Sequence, residues 1–141
     1  VLAYFRSHPE DRATYLHRNP RYIFFREEKN PDWPAGSLNV PVTPLRSLAT
    51  DKALFPPGGV VLVATRVAGA DGRARWVERL LVDQDAGRAI ESAGRADIYY
   101  GVGAEAGERA GRQYSEGQLY YLFIKPDLVD SWQGWESVSR P

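Results

Sequence analysis

Three aspartates carry the chemistry this sequence suggests. Asp51 follows SLAT, Asp85 follows LLVDQ and Asp97 precedes IYYG. Each stands at the end of a segment that reads as a strand. A carboxylic acid set among apolar residues and tight turns is poorly solvated, and desolvation disfavours its charged form. A second carboxylate nearby acts in the same direction, so that one of the pair keeps its proton. A neutral carboxylic acid is what cleavage of a glycosidic bond needs. It donates a proton to the departing sugar oxygen and takes one back later. The same residues also have a plain structural use, because Asp at a strand end accepts hydrogen bonds from turn amides or caps a short helix. Asp83 lies two residues before Asp85, and on a regular strand the two share a face. Spacing alone therefore does not choose the acid.

Other chemistries find little support. The chain has no cysteine, which excludes a thiol nucleophile, a disulfide framework and cysteine-ligated zinc. His8 and His17 are its two histidines, both in the first segment and not at ligand spacing, so no metal is expected. Ser47 and Ser92 have no histidine base nearby in sequence, which argues against a hydrolase triad. Gly101–Gly107, GVGAEAG, lacks the Lys-Ser/Thr of a phosphate-cradling loop. It reads instead as small residues that let a short helix pack closely on strands. No cofactor is expected. Eighteen basic and eighteen acidic residues balance, so there is no electrostatic footprint for nucleic acid and no polybasic patch for a membrane surface. A neutral, carbohydrate-like partner fits that balance better.

The elements that must position the acids can be read from pattern. Residues 1–18 have helical character interrupted by Pro9, so two short pieces are possible, with Leu2, Phe5, Tyr15 and Leu16 as buried positions. Tyr22–Arg26 reads as a strand, residues 29–41 as a Pro- and Gly-rich loop, and Leu45–Thr50 as a short strand ending at Asp51. Val60–Val67 is the clearest strand, followed by an Asp71-Gly72 hairpin turn and a returning strand from Trp76 to Asp85. A turn with a short helical piece, a strand over Arg95–Tyr100, a helix over Gly103–Arg112 and a strand over Gln118–Pro126 complete the list. Trp132 and Trp135 lie in a polar tail and are expected to dock. Short strands separated by turns, with small helical crossings, predict a compact β-barrel with helical decoration. The chain begins at Val1 rather than Met, which reads as a processed product or a piece of a longer protein. No run approaches the ~20 apolar residues of a membrane span.

Three segments together resemble the 3D domain of the membrane-bound lytic murein transglycosylase A (MltA) family, a domain named for three aspartates. VPVTPLRSLATDKALFPPGG resembles TP-x-RS-x-A-x-D followed by a Pro-Gly turn. LLVDQDAGRAIESAGRADIYYGVGAEAGERAG resembles QD-x-GGAI, then R-x-D with an aromatic strand, then GxGxEAGxxAG; NPRYIFFRE is the third segment. The resemblance implies a mainly β fold, a six-stranded double-psi β-barrel with short helices over residues 1–126, followed by a tail over 127–141. It implies cleavage of the β-1,4 bond between N-acetylmuramic acid and N-acetylglucosamine in peptidoglycan, giving 1,6-anhydro products without water. Asp97 would be the single acid and base, Asp85 would tune or orient it, and Asp51 would support a loop. Gln84, Thr43, Arg46, Tyr99 and Tyr100 would bind the glycan, since sugars pack on aromatic faces and bond to polar side chains. The implied setting is the periplasm, with the outer membrane reached through a lipid anchor outside this chain and a further domain of the same protein beside the groove. The sequence departs from the family at Arg88, where a second glycine is expected. A noncatalytic peptidoglycan- or polysaccharide-binding module on the same barrel is the alternative.

Overall fold

The computed structural model describes residues 1–22, 24, 27, 29 and 34–129. The chain divides into two compact units, residues 1–30 and 31–141. In the first, helix α1 (Leu2–Ser7) and helix α2 (Asp11–Leu16) are separated at Pro9, which cannot continue a helix. Tyr4 donates to Asp11 at 2.6 Å, and Phe5 meets Tyr15 edge-on with centroids 5.6 Å apart. No residue of either helix is buried. Leu2, Tyr15 and Leu16, expected inside, are exposed, and Phe5 is half-buried. Two six-residue helices have too little surface to enclose a core. The expected strand Tyr22–Arg26 falls largely outside the described residues, as do Trp132 and Trp135.

The second unit is built on one mixed sheet. Its strands are β1 (Ser47–Ala49), β2 (Val60–Ala68), β3 (Ala74–Asp85), β4 (Asp97–Ile98) and β5 (Gly117–Leu122), in the order β4-β1-β3-β2-β5. Helices α3 (Ala104–Gly111) and α4 (Pro126–Val129) accompany them. β2 and β3 pair antiparallel from Val60↔Val82 to Ala68↔Ala74 around the Asp71-Gly72 turn, as the turn residues predict. β2 also pairs antiparallel with β5, while β1 runs parallel to β3 and antiparallel to β4. The fold is mainly β with few helices, as expected. Among the described residues, however, there are five strands in an open sheet rather than six in a closed barrel, and β4 and β5 are its edges.

One face of the sheet carries the core: Leu48, Val61, Val63 and Leu81, with Ile98, Leu119 and Tyr121 packed against them. Asp83 follows on that face of β3 and is fully buried. Its carboxylate accepts from the Thr50 hydroxyl at 2.6 Å and the Tyr121 phenol at 2.7 Å, and forms an ion pair with Lys52 Nζ. The Phe55 ring stacks on Tyr121 at 4.8 Å. Burial first, and the bond to Asp83 second, push the Tyr121 phenol up to about 12.

The pairing of β1 with β3 slips at this point. Leu48 lies opposite Asp83, but Ala49 lies opposite Asp85, so Gln84 is an extra residue in β3. A one-residue slip sends the following side chain to the other face. Asp83 and Asp85 therefore do not share a face as a regular strand would have them. One closes the core, and the other stands level with Ala49.

Candidate active site

Ala49 is the centre of the arrangement. It pairs with Asp85 on one side and with Asp97 on the other, which puts both carboxylates on the face opposite the core. Two strand spacings separate the two α-carbons by roughly 10 Å, and the methyl group of Ala49 leaves the space between them open. Here Asp85, Asp97, Ala49, Gly87, Ile90 and Tyr99 line an open cleft of about 250 Å³.

The Asp97 side chain is 53% exposed. Arg95 faces it across the fork of its guanidinium, with Nε 3.2 Å from Oδ1 and Nη2 3.4 Å from Oδ2. The dry surroundings expected from the apolar sequence are absent, because β4 is two residues long and lies at the sheet edge. Asp85 is half-buried, and its Oδ1 accepts two main-chain amides, from Ser37 and Ala86, each at 2.8 Å. No hydrogen bond joins the two acids among the described residues. Asp51 accepts from the Ala53 amide at 2.9 Å, and its carbonyl receives Leu54 and Phe55, which closes the turn after β1. It does not line the cleft.

The expected glycan contacts divide. Tyr99 lines the cleft. Tyr100 does not: its ring is buried, its hydroxyl donates to Gln113 at 2.5 Å, and Arg109 lies over it at 5.4 Å. Successive residues of an extended segment face opposite ways, and Tyr100 is the inward one. Gln84 is occupied internally, receiving the Ser47 hydroxyl at 2.6 Å and donating to the Pro41 carbonyl at 3.3 Å. Thr43 gives its amide to the Ser47 hydroxyl at 2.8 Å. Arg46 donates to the Leu80 carbonyl at 3.2 Å and lies outside the cleft lining.

Arg88 does not have a positive φ, so its replacement of the family glycine costs no backbone strain. Gly87 has the tighter requirement, since a β-carbon there would lie 2.8 Å from Ile90 Cδ1. In the GVGAEAG segment, Gly101 and Gly103 have φ of 114° and 90°, and a β-carbon on Gly103 or Gly107 would meet nothing within 4 Å. Backbone conformation, rather than the close packing expected, accounts for Gly103. Sequence reasoning gave no role to Arg95, Ser37 or Ala49. Arg95 was legible from its position two residues before Asp97, on the same side of an extended chain.

Residues 46–123, more than half of the chain, match the model of the 3D domain family. Membrane-bound lytic murein transglycosylase A of Escherichia coli K12 is 31% identical over 121 residues, which cover 84% of this chain and 33% of that protein. The crystal structure of MltA from Neisseria gonorrhoeae is 39% identical with a TM-score of 0.70, over 84% of this chain and 30% of that one. Escherichia coli MltA with bound chitohexaose is 31% identical with a TM-score of 0.68, over 80% of this chain and 34% of that one. The chain thus spans about a third of the length of these relatives. With a 3D-domain match over the site and the same fold at 31–39% identity, the chain belongs to the MltA family and carries its 3D domain.

Proposed function

We propose that this chain carries the acid/base centre of a peptidoglycan lytic transglycosylase, with Asp97 as the proton-transfer residue. The observation that carries the reading is the exposed Asp97 carboxylate in an open cleft, set across Ala49 from Asp85. The naming of the relatives as lytic transglycosylases, one of them holding chitohexaose, supports it. In its protonated form Asp97 gives its proton to the bridging oxygen as the bond from the muramoyl anomeric carbon to that oxygen breaks. The electron pair leaves with the N-acetylglucosamine oxygen. The muramoyl C6 hydroxyl then bonds to the anomeric carbon and returns its proton to Asp97, closing a 1,6-anhydro ring. The substrate supplies its own nucleophile, so one carboxyl group suffices where ordinary glycosidases use two. Asp85, held by amides, orients the departing or attacking oxygen, and Asp51 supports the turn after β1. Tyr99, in the cleft lining, offers a ring to the sugar, and Thr43, next in sequence to the lining residue Val42, is proposed as a further contact.

A closed six-stranded double-psi barrel belongs to the same proposal, with the β4 and β5 edges as the places where further strands add. So does a periplasmic setting at the outer membrane, supported by the relatives' description as membrane-bound. No described helix is long and apolar enough to cross a membrane.

Mass spectrometry of sacculus digests tests the reaction. Wild type is expected to release fragments lighter by one water at the reducing end, and Asp97→Asn to release none while keeping its unfolding midpoint. Unchanged release from Asp97→Asn would remove that residue from the mechanism. The Arg95–Asp97 ion pair favours a second reading, a glycan-binding module that does not cut. Retention of wild type on sacculi without soluble product would decide for it.

A further inference from the structure

We infer that the Gly36–Ser37 turn is a positioning element that holds Asp85 on the cleft face, which rests on the reading that Asp85 assists Asp97. With regular parallel pairing Ala49 would lie opposite Gln84, and Asp85 would fall on the core face with Asp83. The inserted residue moves it across, and one loop fastens that insertion from outside the sheet. The loop closes on itself through the Ala35↔Pro41 bridge and through Gly36 N–H to the Val40 carbonyl at 3.1 Å. Asn39 N–H to the Gly36 carbonyl at 2.9 Å makes a β-turn with Ser37 in its second position.

The loop grips the bulge at three atoms. Leu38 N–H reaches the Gln84 carbonyl at 3.4 Å, the Pro41 carbonyl receives the Gln84 amide, and Ser37 N–H reaches Asp85 Oδ1. Gly36 is where the two backbones meet. A β-carbon there would stand 2.5 Å from the Gln84 carbonyl oxygen and 3.2 Å from Asp85 Cβ. Ser37 and Ala86 both donate to Oδ1, and among the described residues no hydrogen bond reaches Oδ2 of Asp85. The turn therefore fixes which oxygen is left for the substrate, and Gln84, expected to touch glycan, is a positioning residue.

The test uses Ser37→Pro. Proline is favoured in the second position of a β-turn; it removes the N–H donor and puts its ring Cδ where that hydrogen pointed, so the Asp85 carboxylate must leave its present place. Three readouts apply. In the 15N-labelled chain the Ser37 and Ala86 amide protons are expected to respond together to Asp85→Asn, each moving upfield as a neutral amide oxygen replaces the carboxylate acceptor they share. Ser37→Pro is expected to cut turnover on sacculi about tenfold or more with KM and chitohexaose affinity nearly unchanged, since misplacing a group by about 1 Å carries such a cost. Ser37→Ala, which keeps the amide, is expected to behave as wild type. Should Ser37→Pro fail to fold, Gly36→Ala serves in its place, with loss of the Ser37 response as the expected result. A Ser37 amide indifferent to Asp85, or full turnover in Ser37→Pro, would overturn the inference. If wild type releases no product, that result counts against the proposed activity, and the amide responses still decide whether the turn holds Asp85.

Discussion

A carboxylate with no solvent contact must have its charge met by the protein, or it costs several kcal/mol. Asp83 has three donors on two oxygens, from Thr50, Tyr121 and Lys52, and they come from the end of β1, the turn after it and β5. This cluster ties three elements together directly behind the bulge that presents Asp85. Asp83→Ala leaves Lys52 and Tyr121 facing an apolar void. We expect it to lower stability by about 3 kcal/mol, the low end of the range for breaking a buried pair, because the Lys52 ammonium can turn to solvent. Tyr121→Phe removes one donor of three and is expected to cost about 1 kcal/mol. Urea unfolding at pH 7 measures both. Equal, near-zero losses would show that the cluster does not hold β1 in place.

At the scale of elements, β1 does most with fewest residues. Its three positions join the parallel and antiparallel halves of the sheet, and its last residue separates the two acids. Ala49→Leu fills the gap between Asp85 and Asp97 while leaving both acids in the sequence. The expected outcome is loss of chitohexaose binding by at least about tenfold, because the added methylenes occupy the space of a sugar ring; calorimetric titration checks it. The strands themselves were legible in sequence: β2 announces itself by its β-branched run and β3 by its return from the Asp71-Gly72 turn, and Asp85 and Asp97 stand at strand ends as read, while Asp51 lies two residues past β1. The slip at Gln84 was not legible. It depends on the 34–41 loop, which reaches β3 from nearly fifty residues away in sequence, and no local pattern records such a contact. For the same reason Gln84 and Tyr100 looked like glycan ligands. Their side chains are spent on Ser47, Pro41 and Gln113, partners that only the register brings near. The exposure of Asp97 escaped too, since its apolar neighbours in sequence do not reveal that β4 is a two-residue edge strand.

At the scale of the whole molecule, the sheet unit responds to alkali through two phenols that burial keeps protonated, Tyr100 and Tyr121. Burial raises the titration of Tyr100, against the pull of its Ala68 and Arg109 partners, and raises that of Tyr121 to about 12 from an ordinary value of 10.0. For each, the folded chain retains a proton that the unfolded chain gives up at lower pH. Stability then falls with rising pH wherever the folded state holds more protons. The contribution is complete below about pH 10 and is lost as pH climbs through the folded values, which for Tyr121 means a decline between about pH 10 and 12. Tyr121 sits where β5 joins the Asp83 cluster, so its phenolate would face a buried carboxylate, and the two like charges repel. We expect the urea midpoint to drop steeply over that interval in wild type and less steeply in Tyr121→Phe. The difference in ultraviolet phenolate absorbance between the two folded proteins should have a midpoint near pH 12. A difference midpoint near pH 10 would mean that Tyr121 is open to solvent and that its bond to Asp83 does not form.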